Sequence, residues 1–411
     1  MNRVVITGLG AVTPVGNDVK TFWESLKSGV CGIDMITKFE PGEEYKVKIA
    51  AEVKNFDVTQ YMKSAEARRL DLFTQYAVAA AEQAVESSGI RGAVEPERLG
   101  VYVGSGIGGM NTFEAQHMRM LEKGPRGVSP FFIPMLISNM ASGVLAMRYD
   151  AEGPSLPVVT ACATSTNAVG EAFHAIKHGY ADAILAGGAE ASITPLSVAG
   201  FTSCMALSQN PDPKSACRPF DKRRDGFVMG EGAAILVLEE LEHAKARGAE
   251  IIAEIVGYGN TNDAYHMTAP HPEAKGAAQA IKLALAEAGY TGEDLVYVNA
   301  HGTSTPLNDK AETAALKRAF GERAKDLLVS STKSMTGHML GATGAAEAMA
   351  TALALREGVL PPTIGYGEPD PECDLYYIPN QAETRPVTLG ISTSLGFGGH
   401  NACVALRPYR A

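Results

Sequence analysis

An alternation of short apolar runs with helical segments, which occurs twice along the chain, constrains the fold more than any other feature. In the first half, four apolar or β-branched runs predict buried strands, at residues 3–8, 99–105, 182–188 and 233–239. Between them, residues 73–89 have alanine and apolar side chains at helical spacing and end on a glycine. A similar series begins again after residue 250. The sequence therefore predicts an α/β fold with largely buried sheets, in two similar halves, residues 1–250 and 251–411.

Charge and cysteine pattern exclude several classes of protein. The chain has 36 Lys and Arg against 46 Asp and Glu, a formal charge of −10, and no basic block, so nucleic acid is not an expected partner. No run of 18 apolar residues occurs, and the N-terminal apolar run is too short for a signal peptide, so we expect a cytoplasmic protein without membrane contact. Six cysteines without a CxxC pair favour reduced thiols over a zinc site.

One glycine motif matches the phosphate-binding loop of dinucleotide-binding proteins. The stretch GSGIGG, residues 104–109, follows a predicted strand and has the G-x-G-x-x-G pattern. The segment after it leads into no second strand that ends in an acidic residue, so the surrounding unit of such a site is missing. We therefore expect no nicotinamide, no other cofactor and no catalytic metal.

Cys162 lies in the stretch VVTACATSTNAVG, after the strand-like run LPVV and at the start of a helical pattern. A thiol there meets the positive end of the helix dipole and unpaired backbone N–H groups, which stabilise the reactive thiolate. Its small neighbours leave room for a substrate. A free cysteine is also commonly a small buried hydrophobic residue, so this stretch alone leaves both interpretations open.

Two further stretches contain candidate histidines, His301 after a predicted strand and His338 before a predicted helix. In VNAHGTSTPLND, His301 is a candidate base or hydrogen-bond donor, while Thr303 and Thr305 either bind a polar ligand or cap the next helix. In STKSMTGHMLGATGAAEA, His338 follows a lysine and precedes a helix of small residues. That helix must pack closely against another backbone, and Glu347 within it is expected to be buried and paired.

A last stretch, LGFGGHN, surrounds Phe397 with glycines. Glycine permits unusual backbone angles and close approach, so a backbone N–H can be aimed at a ligand here. A simple hairpin turn is the alternative interpretation.

In this order and at this spacing, the stretches resemble the β-ketoacyl-acyl-carrier-protein synthases of the thiolase superfamily. The motifs that carry the resemblance are TACATS, RPFDKRRDGFVMGEG, NAHGTSTPLND, KSMTGHMLGATGAAE and GFGGHN, and together they span essentially the whole chain. The elongating enzymes of bacterial fatty-acid synthesis are the most similar members. The resemblance implies a thiolase-like fold with α-β-α-β-α layers, the nucleophilic cysteine in the first half and both catalytic histidines in the second.

The resemblance also implies a role for each site residue. Cys162 takes an acyl chain from an acyl carrier protein, and its backbone N–H and that of Phe397 form the oxyanion hole. His301 and His338 then stabilise the enolate that forms when malonyl on a second carrier protein loses CO₂. The implied supporting residues of this triad are Lys333, Glu347, Asp309 and Glu312.

Substrate and partner contacts are implied in the same way, and the protein is expected to be a homodimer. Thr303 and Thr305 match residues that bind the phosphopantetheine arm, and the acyl pocket is expected at Ile107 and Phe132, with Phe397 as its gate. Carrier proteins are acidic, so the expected docking residues are basic: Lys63, Arg68, Arg69, Lys123 and Arg126.

The chain departs from the family pattern in a few places. Leu395 and His400 replace the usual Phe and Thr beside the gate. Some members bind a structural monovalent cation near positions that are here Asn299, Ala300, Glu347, Ser392 and Thr393, and Thr393 replaces the usual Asn. The alternatives are an aromatic-polyketide ketosynthase, which has the same triad, and a non-catalytic chain-length partner subunit, which lacks the cysteine.

Overall fold

The computed structural model describes residues 1–410. Its strands are β1 (Val4–Val12), β2 (Asp34–Met35), β3 (Ile49–Ala50), β4 (Leu99–Gly104), β5 (Ala183–Glu190), β6 (Gly232–Glu240), β7 (Ala253–Asn262), β8 (Val296–Asn299), β9 (Leu328–Ser330), β10 (Val359–Leu360), β11 (Glu383–Thr384), β12 (Leu389–Gly396) and β13 (His400–Arg407). Its helices are α1 (Val19–Lys27), α2 (Ser64–Ala67), α3 (Leu72–Ser88), α4 (Met110–Lys123), α5 (Phe132–Leu136), α6 (Met140–Tyr149), α7 (Thr164–Lys177), α8 (Pro195–Ser203), α9 (Pro213–Ala216), α10 (Leu241–Ala246), α11 (Lys275–Glu287), α12 (Pro306–Phe320), α13 (Lys333–Thr336) and α14 (Thr343–Glu357).

Nine of the strands within residues 1–410 form one mixed sheet, in the order β4-β5-β6-β1-β7-β13-β12-β8-β9. The series β1-β6-β5-β4 and β7-β13-β12-β8 follow the same pattern, two antiparallel pairings and then a parallel one. The two series meet where β1 pairs with β7 over three residues. We propose from this repeat that residues 1–250 and 251–411 are two related halves.

Helices cover both outer sides of these strands and also lie between the two series. α3 packs on β1 and β6 of the first series, and α11 packs on β7 and β13 of the second. α7 and α14 lie between them, contact each other and contact strands of both series. The layered α-β-α-β-α arrangement and the thiolase-like α/β fold are thus confirmed. No helix within the described residues has the length and apolar character to cross a membrane.

The central pair of helices approaches closely because its residues are small. α14 is buried along its length from Thr343 to Leu355. A Cβ atom added to Gly344 would lie 2.0 Å from Oγ1 of Thr166 in α7, so only glycine fits there. This contact places the N-termini of α7 and α14 side by side at the centre of the molecule.

Candidate active site

A cavity of about 340 Å³ opens beside the N-termini of the central helices. Its lining includes Cys162 from the first half and His301, His338 and Phe397 from the second. Thr303, Thr305 and Leu395 also line it. Residues from four separate sequence stretches therefore meet at one cavity, as the sequence motifs predicted.

Cys162 is the central residue of a 3-10 turn, Ala161–Ala163, that runs directly into α7. Ala161 has a φ of 51°, a left-handed conformation that costs free energy for a residue with a Cβ and that is typical of functional sites. The run at residues 156–159, which is strand-like in sequence, belongs to no strand. The chain pairs with β4 just before this run, at a single bridge between Ser155 and Val101, so the nucleophile follows a loop.

The surroundings of the Cys162 thiol favour its neutral form, so of the two effects that the sequence left open, burial outweighs the helix N-terminus. Burial raises the pKa of this thiol to about 11. The positive charge of Lys333 and the backbone N–H of Phe397 lower the pKa, but they do not offset the burial. The helix N-terminus therefore does not by itself make Cys162 a thiolate near neutral pH.

The end of β12 lies against the Cys162 turn, which brings two backbone N–H groups together. A Cβ atom on Gly396 would lie 2.7 Å from the carbonyl oxygen of Thr160 and 3.3 Å from the nitrogen of Cys162, so glycine is needed for this approach. Phe397 follows at once and directs its N–H toward the thiol. The N–H groups of Cys162 and Phe397 are thus placed as candidate donors to an oxyanion.

The two histidine rings are perpendicular neighbours, with centroids 5.3 Å apart. Burial, together with the positive charge of Lys333, holds the pKa of both rings well below the usual value, so both are neutral. His338 Nδ1 lies 3.1 Å from the hydroxyl of Thr343. When that hydroxyl donates, the proton of His338 is on Nε2. Within residues 1–410, His338 Nε2 and His301 Nδ1 are buried without a hydrogen-bond partner.

Lys333 and Glu347 form a fully buried ion pair, with Nζ and Oε1 2.5 Å apart. Burial raises the pKa of Glu347 to about 7, although Lys333 acts to lower it. Glu347 is therefore paired inside the small-residue helix, as its sequence context predicted.

Glu312 and Asp309 are both fully buried, but they hold different parts of the site. Glu312 accepts hydrogen bonds from the backbone N–H groups of His301 and Gly302, each at 2.7 Å, and so fixes the first histidine's backbone. Asp309 instead accepts from the N–H of Phe220 and lies 3.7 Å from Arg224. These two implied supporting residues therefore make separate sets of contacts, and only Glu312 binds the backbone of a catalytic histidine.

Three buried oxygen atoms near the ion pair have no hydrogen-bond partner among the described residues: Asn299 Oδ1, Glu347 Oε2 and Ser392 Oγ. Asn299 and Ser392 are paired across β8 and β12, and Asn299 also donates to the backbone oxygen of Glu347. Hard oxygen donors of this kind fit an alkali cation or a water molecule. No group of three or more His, Cys, Asp or Glu side chains able to hold a metal occurs within residues 1–410.

The remaining predicted residues lie outside the cavity. Ile107 is 38% exposed and Phe132 is half-buried, on a loop and on α5, so the expected acyl-pocket wall is not closed within one chain. The predicted docking residues are all exposed: Lys63, Arg68, Arg69, Lys123 and Arg126. The Arg69 guanidinium lies over the ring of Phe131, 5.2 Å from its centroid. His400 packs against the gate turn at Gly398.

Sequence reasoning missed two residues that contact the site. Phe227 packs edge-on against His338, with ring centroids 5.2 Å apart. Glu190 ends β5 fully buried and accepts hydrogen bonds from the N–H groups of Gly106 and Ile107, so these two donors of the GSGIGG loop are already occupied. A carboxylate at the end of an apolar strand pattern is the feature that indicates Glu190 in the sequence.

The chain matches two family models, described as "Beta-ketoacyl synthase, N-terminal domain" over residues 1–244 and "Beta-ketoacyl synthase, C-terminal domain" over residues 252–367. It is 54% identical over 410 residues to "3-oxoacyl-[acyl-carrier-protein] synthase 2" of Staphylococcus aureus (strain COL), covering 100% of this chain and 99% of that protein. It is 51% identical to the protein of the same name from Synechocystis sp., covering 99% and 98% of the two chains.

Solved structures agree with the sequence relatives. A β-ketoacyl synthase from Burkholderia phymatum STM815 has a TM-score of 0.92 and 37% identity, with 100% of both chains covered. A type II PKS acyl-carrier protein in complex with its ketosynthase has a TM-score of 0.92 and 34% identity, again over 100% of both chains.

Proposed function

The chain belongs to the β-ketoacyl synthase family, and we propose that it is a 3-oxoacyl-[acyl-carrier-protein] synthase. It condenses malonyl on a carrier protein with an acyl chain on Cys162, releases CO₂ and lengthens the chain by two carbons. One observation carries the proposal: Cys162 meets two buried, neutral histidines at a single cavity, and each histidine has an unpartnered ring nitrogen.

In the first half-reaction, Cys162 Sγ attacks the acyl thioester. A new C–S bond forms on Cys162, and the pantetheine thiol leaves with the proton of the Cys162 thiol. Charge builds on the acyl oxygen in between, and the N–H groups of Cys162 and Phe397 stabilise it. The acyl-enzyme holds the chain while the second carrier protein enters.

In the second half-reaction, the malonyl C–C bond breaks and its electron pair forms an enolate. His301 and His338 donate N–H hydrogen bonds to the enolate oxygen, and because both rings are neutral they stabilise it without giving up a proton. The enolate carbon attacks the Cys162 thioester, a C–C bond forms, and the Cys162 sulfur leaves and takes up a proton from water. Burial and, to a lesser extent, the charge of Lys333, which is paired with Glu347, lower the pKa of both rings and keep them in the donating, neutral form.

The carrier protein and a second copy of the chain complete the site. Thr303 and Thr305, whose hydroxyls lie 2.9 Å apart on the cavity wall, bind the pantetheine arm. The acidic carrier docks on the five exposed basic residues named above. A homodimer covers the apolar residues left exposed around the open acyl pocket: Ile107, Phe113, Leu121, Phe131 and Ile133. The protein works in the cytoplasm, and the partner is neither nucleic acid nor membrane.

The 54% identity to synthases named for 3-oxoacyl-[acyl-carrier-protein] supports the fatty-acid role over a polyketide role, for which the related structure is 34% identical. A chain-length partner subunit without catalysis is disfavoured because Cys162 is present.

Mass spectrometry after incubation with an acyl carrier protein thioester tests the proposal. We expect one acyl adduct, on Cys162, and a 3-oxoacyl product two carbons longer when malonyl carrier protein is added. Cys31→Ser, at a half-buried cysteine, is the control and should leave the adduct in place. An adduct on another cysteine only, or no adduct, contradicts the function.

A further inference from the structure

Glu190 is a fully buried carboxylate that the mechanism above does not use. Among the residues that the structure describes, no cation pairs with it. A buried charge is costly unless hydrogen bonds compensate it. Glu190 accepts five, from the hydroxyls of Ser105 (2.8 Å) and Ser192 (3.3 Å) and the N–H groups of Gly106 (2.8 Å), Ile107 (3.2 Å) and Gly341 (3.1 Å).

These donors come from segments that contact the two catalytic turns. A Cβ atom on Gly106 would lie 3.4 Å from the carbonyl oxygen of Ala161, so this loop rests against the turn that carries Cys162. Gly341 is the centre of the turn Leu340–Ala342, which follows His338. A Cβ atom on Gly341 would lie 2.8 Å from Glu190 Oε2. Glu190 thus binds the turn that follows His338 directly, and it binds the loop that lies against the turn of Cys162.

We propose that Glu190 is a positioning residue for condensation, whose carboxylate fixes the turn of Cys162 relative to the turn that follows His338. The inference rests on the proposed function. Acyl transfer uses the Cys162 turn and the Phe397 N–H but neither histidine, and decarboxylation uses the histidines but not the thiol. Condensation needs the acyl group on Cys162 and the enolate held by the histidines at bonding distance. A misplacement of about 1 Å lowers the rate of such a step about 100-fold.

Glu190→Gln tests this, because the amide keeps the shape but directs a donor at N–H groups that need an acceptor. Three rates are measured per folded protein: acyl transfer to Cys162, release of CO₂ from malonyl carrier protein without an acyl chain, and condensation. We expect condensation to fall at least about 30-fold, and each half-reaction to stay within about threefold of the wild type.

Two variants separate this role from stability. Glu239→Gln removes another fully buried carboxylate, bound to Arg247 and Thr7 away from the cavity, and should leave the ratio of the three rates unchanged. Ser105→Ala removes the 2.8 Å hydroxyl donor to Glu190 Oε1 and should reproduce part of the loss of condensation; it carries the test if Glu190→Gln does not fold.

Equal falls of all three rates in Glu190→Gln and Ser105→Ala, unchanged condensation in both, or the same selective loss in Glu239→Gln, would overturn the proposal. A wild-type protein that forms no acyl-Cys162 would instead overturn the proposed function.

Discussion

Two turns of the same backbone form lead into the two central helices, one in each half, and they carry different residues. Ala161–Ala163 precedes α7, and Leu340–Ala342 precedes α14, each as a 3-10 turn that continues directly into its helix. Each turn begins at a non-glycine residue with positive φ, 51° at Ala161 and 48° at Leu340. The central residue is Cys162 in the first turn and Gly341 in the second.

The difference shows how one local structure serves two purposes. In the first half, a reactive side chain occupies the centre of the turn, and its N–H is placed for a substrate oxyanion. In the second half, Gly341 occupies the centre and its N–H donates to Glu190. The proposed catalytic residue of this half is His338, three residues before Gly341. The turn lies next to a proposed catalytic residue in both halves, but only the first turn contains the nucleophile.

The largest loss of activity is expected when Cys162, at the centre of the first turn, is replaced by glycine, the residue at the centre of the second turn. Cys162→Gly removes the only sulfur at the centre of the two turns, so acyl transfer and condensation should fall at least about 10³-fold. CO₂ release from malonyl carrier protein should continue, because the histidines are intact. Rates of product formation and of CO₂ release measure this, and condensation within tenfold of the wild type would contradict a covalent role for Cys162.

A change in the second half should produce the complementary loss. His338→Ala removes one N–H donor to the enolate, so CO₂ release and condensation should fall about 10²- to 10³-fold. The rate at which Cys162 takes up an acyl chain should change less than about threefold, since that step uses the first turn. A variant that loses acyl transfer as strongly as CO₂ release would show that the two turns do not divide the reaction.

The features that follow from local pattern could be predicted from the sequence. Periodicity placed β1, α3, α7 and α14, because each of these elements depends on residues close together in the chain. Cys162, His301 and His338 were brought together only by the resemblance to the β-ketoacyl synthases, and the structure has all three on one cavity.

The features that depend on packing across the sheet could not be predicted in this way. Glu190 binds N–H groups 84 and 151 residues away in sequence, at Gly106 and Gly341. The high pKa of Cys162 depends on burial by both halves, while the local pattern of a helix N-terminus indicates a low one. The open wall at Ile107 depends on surface that a single chain leaves exposed.

The pH dependence of Cys162 alkylation is a smaller effect, and it tests whether the first turn stabilises the thiolate. With a pKa of about 11, the thiolate fraction rises about tenfold per pH unit throughout the range below that value. Alkylation of Cys162 by iodoacetamide, followed by peptide mass spectrometry, should therefore accelerate about tenfold per unit from pH 7 to 10. No step should occur near pH 6.5, because the pKa values of His301 and His338 lie well below it. A plateau below pH 8 would mean that the first turn stabilises thiolate after all.

The smallest effect concerns the backbone strain that the two turns share. Ala161→Gly relieves a left-handed residue, worth about 1–2 kcal/mol, and adds about 0.5–1 kcal/mol of unfolded-chain entropy, so the free energy of unfolding should rise by about 0.5–1 kcal/mol. Leu340→Gly relieves the same strain but removes a side chain that is only 4% exposed, and the lost burial outweighs the relief, so stability should fall. Denaturant unfolding of the two variants measures the signs. A fall in both would mean that the positive φ at Ala161 is supported by contacts that its methyl group makes, and that the two turns are held by different forces.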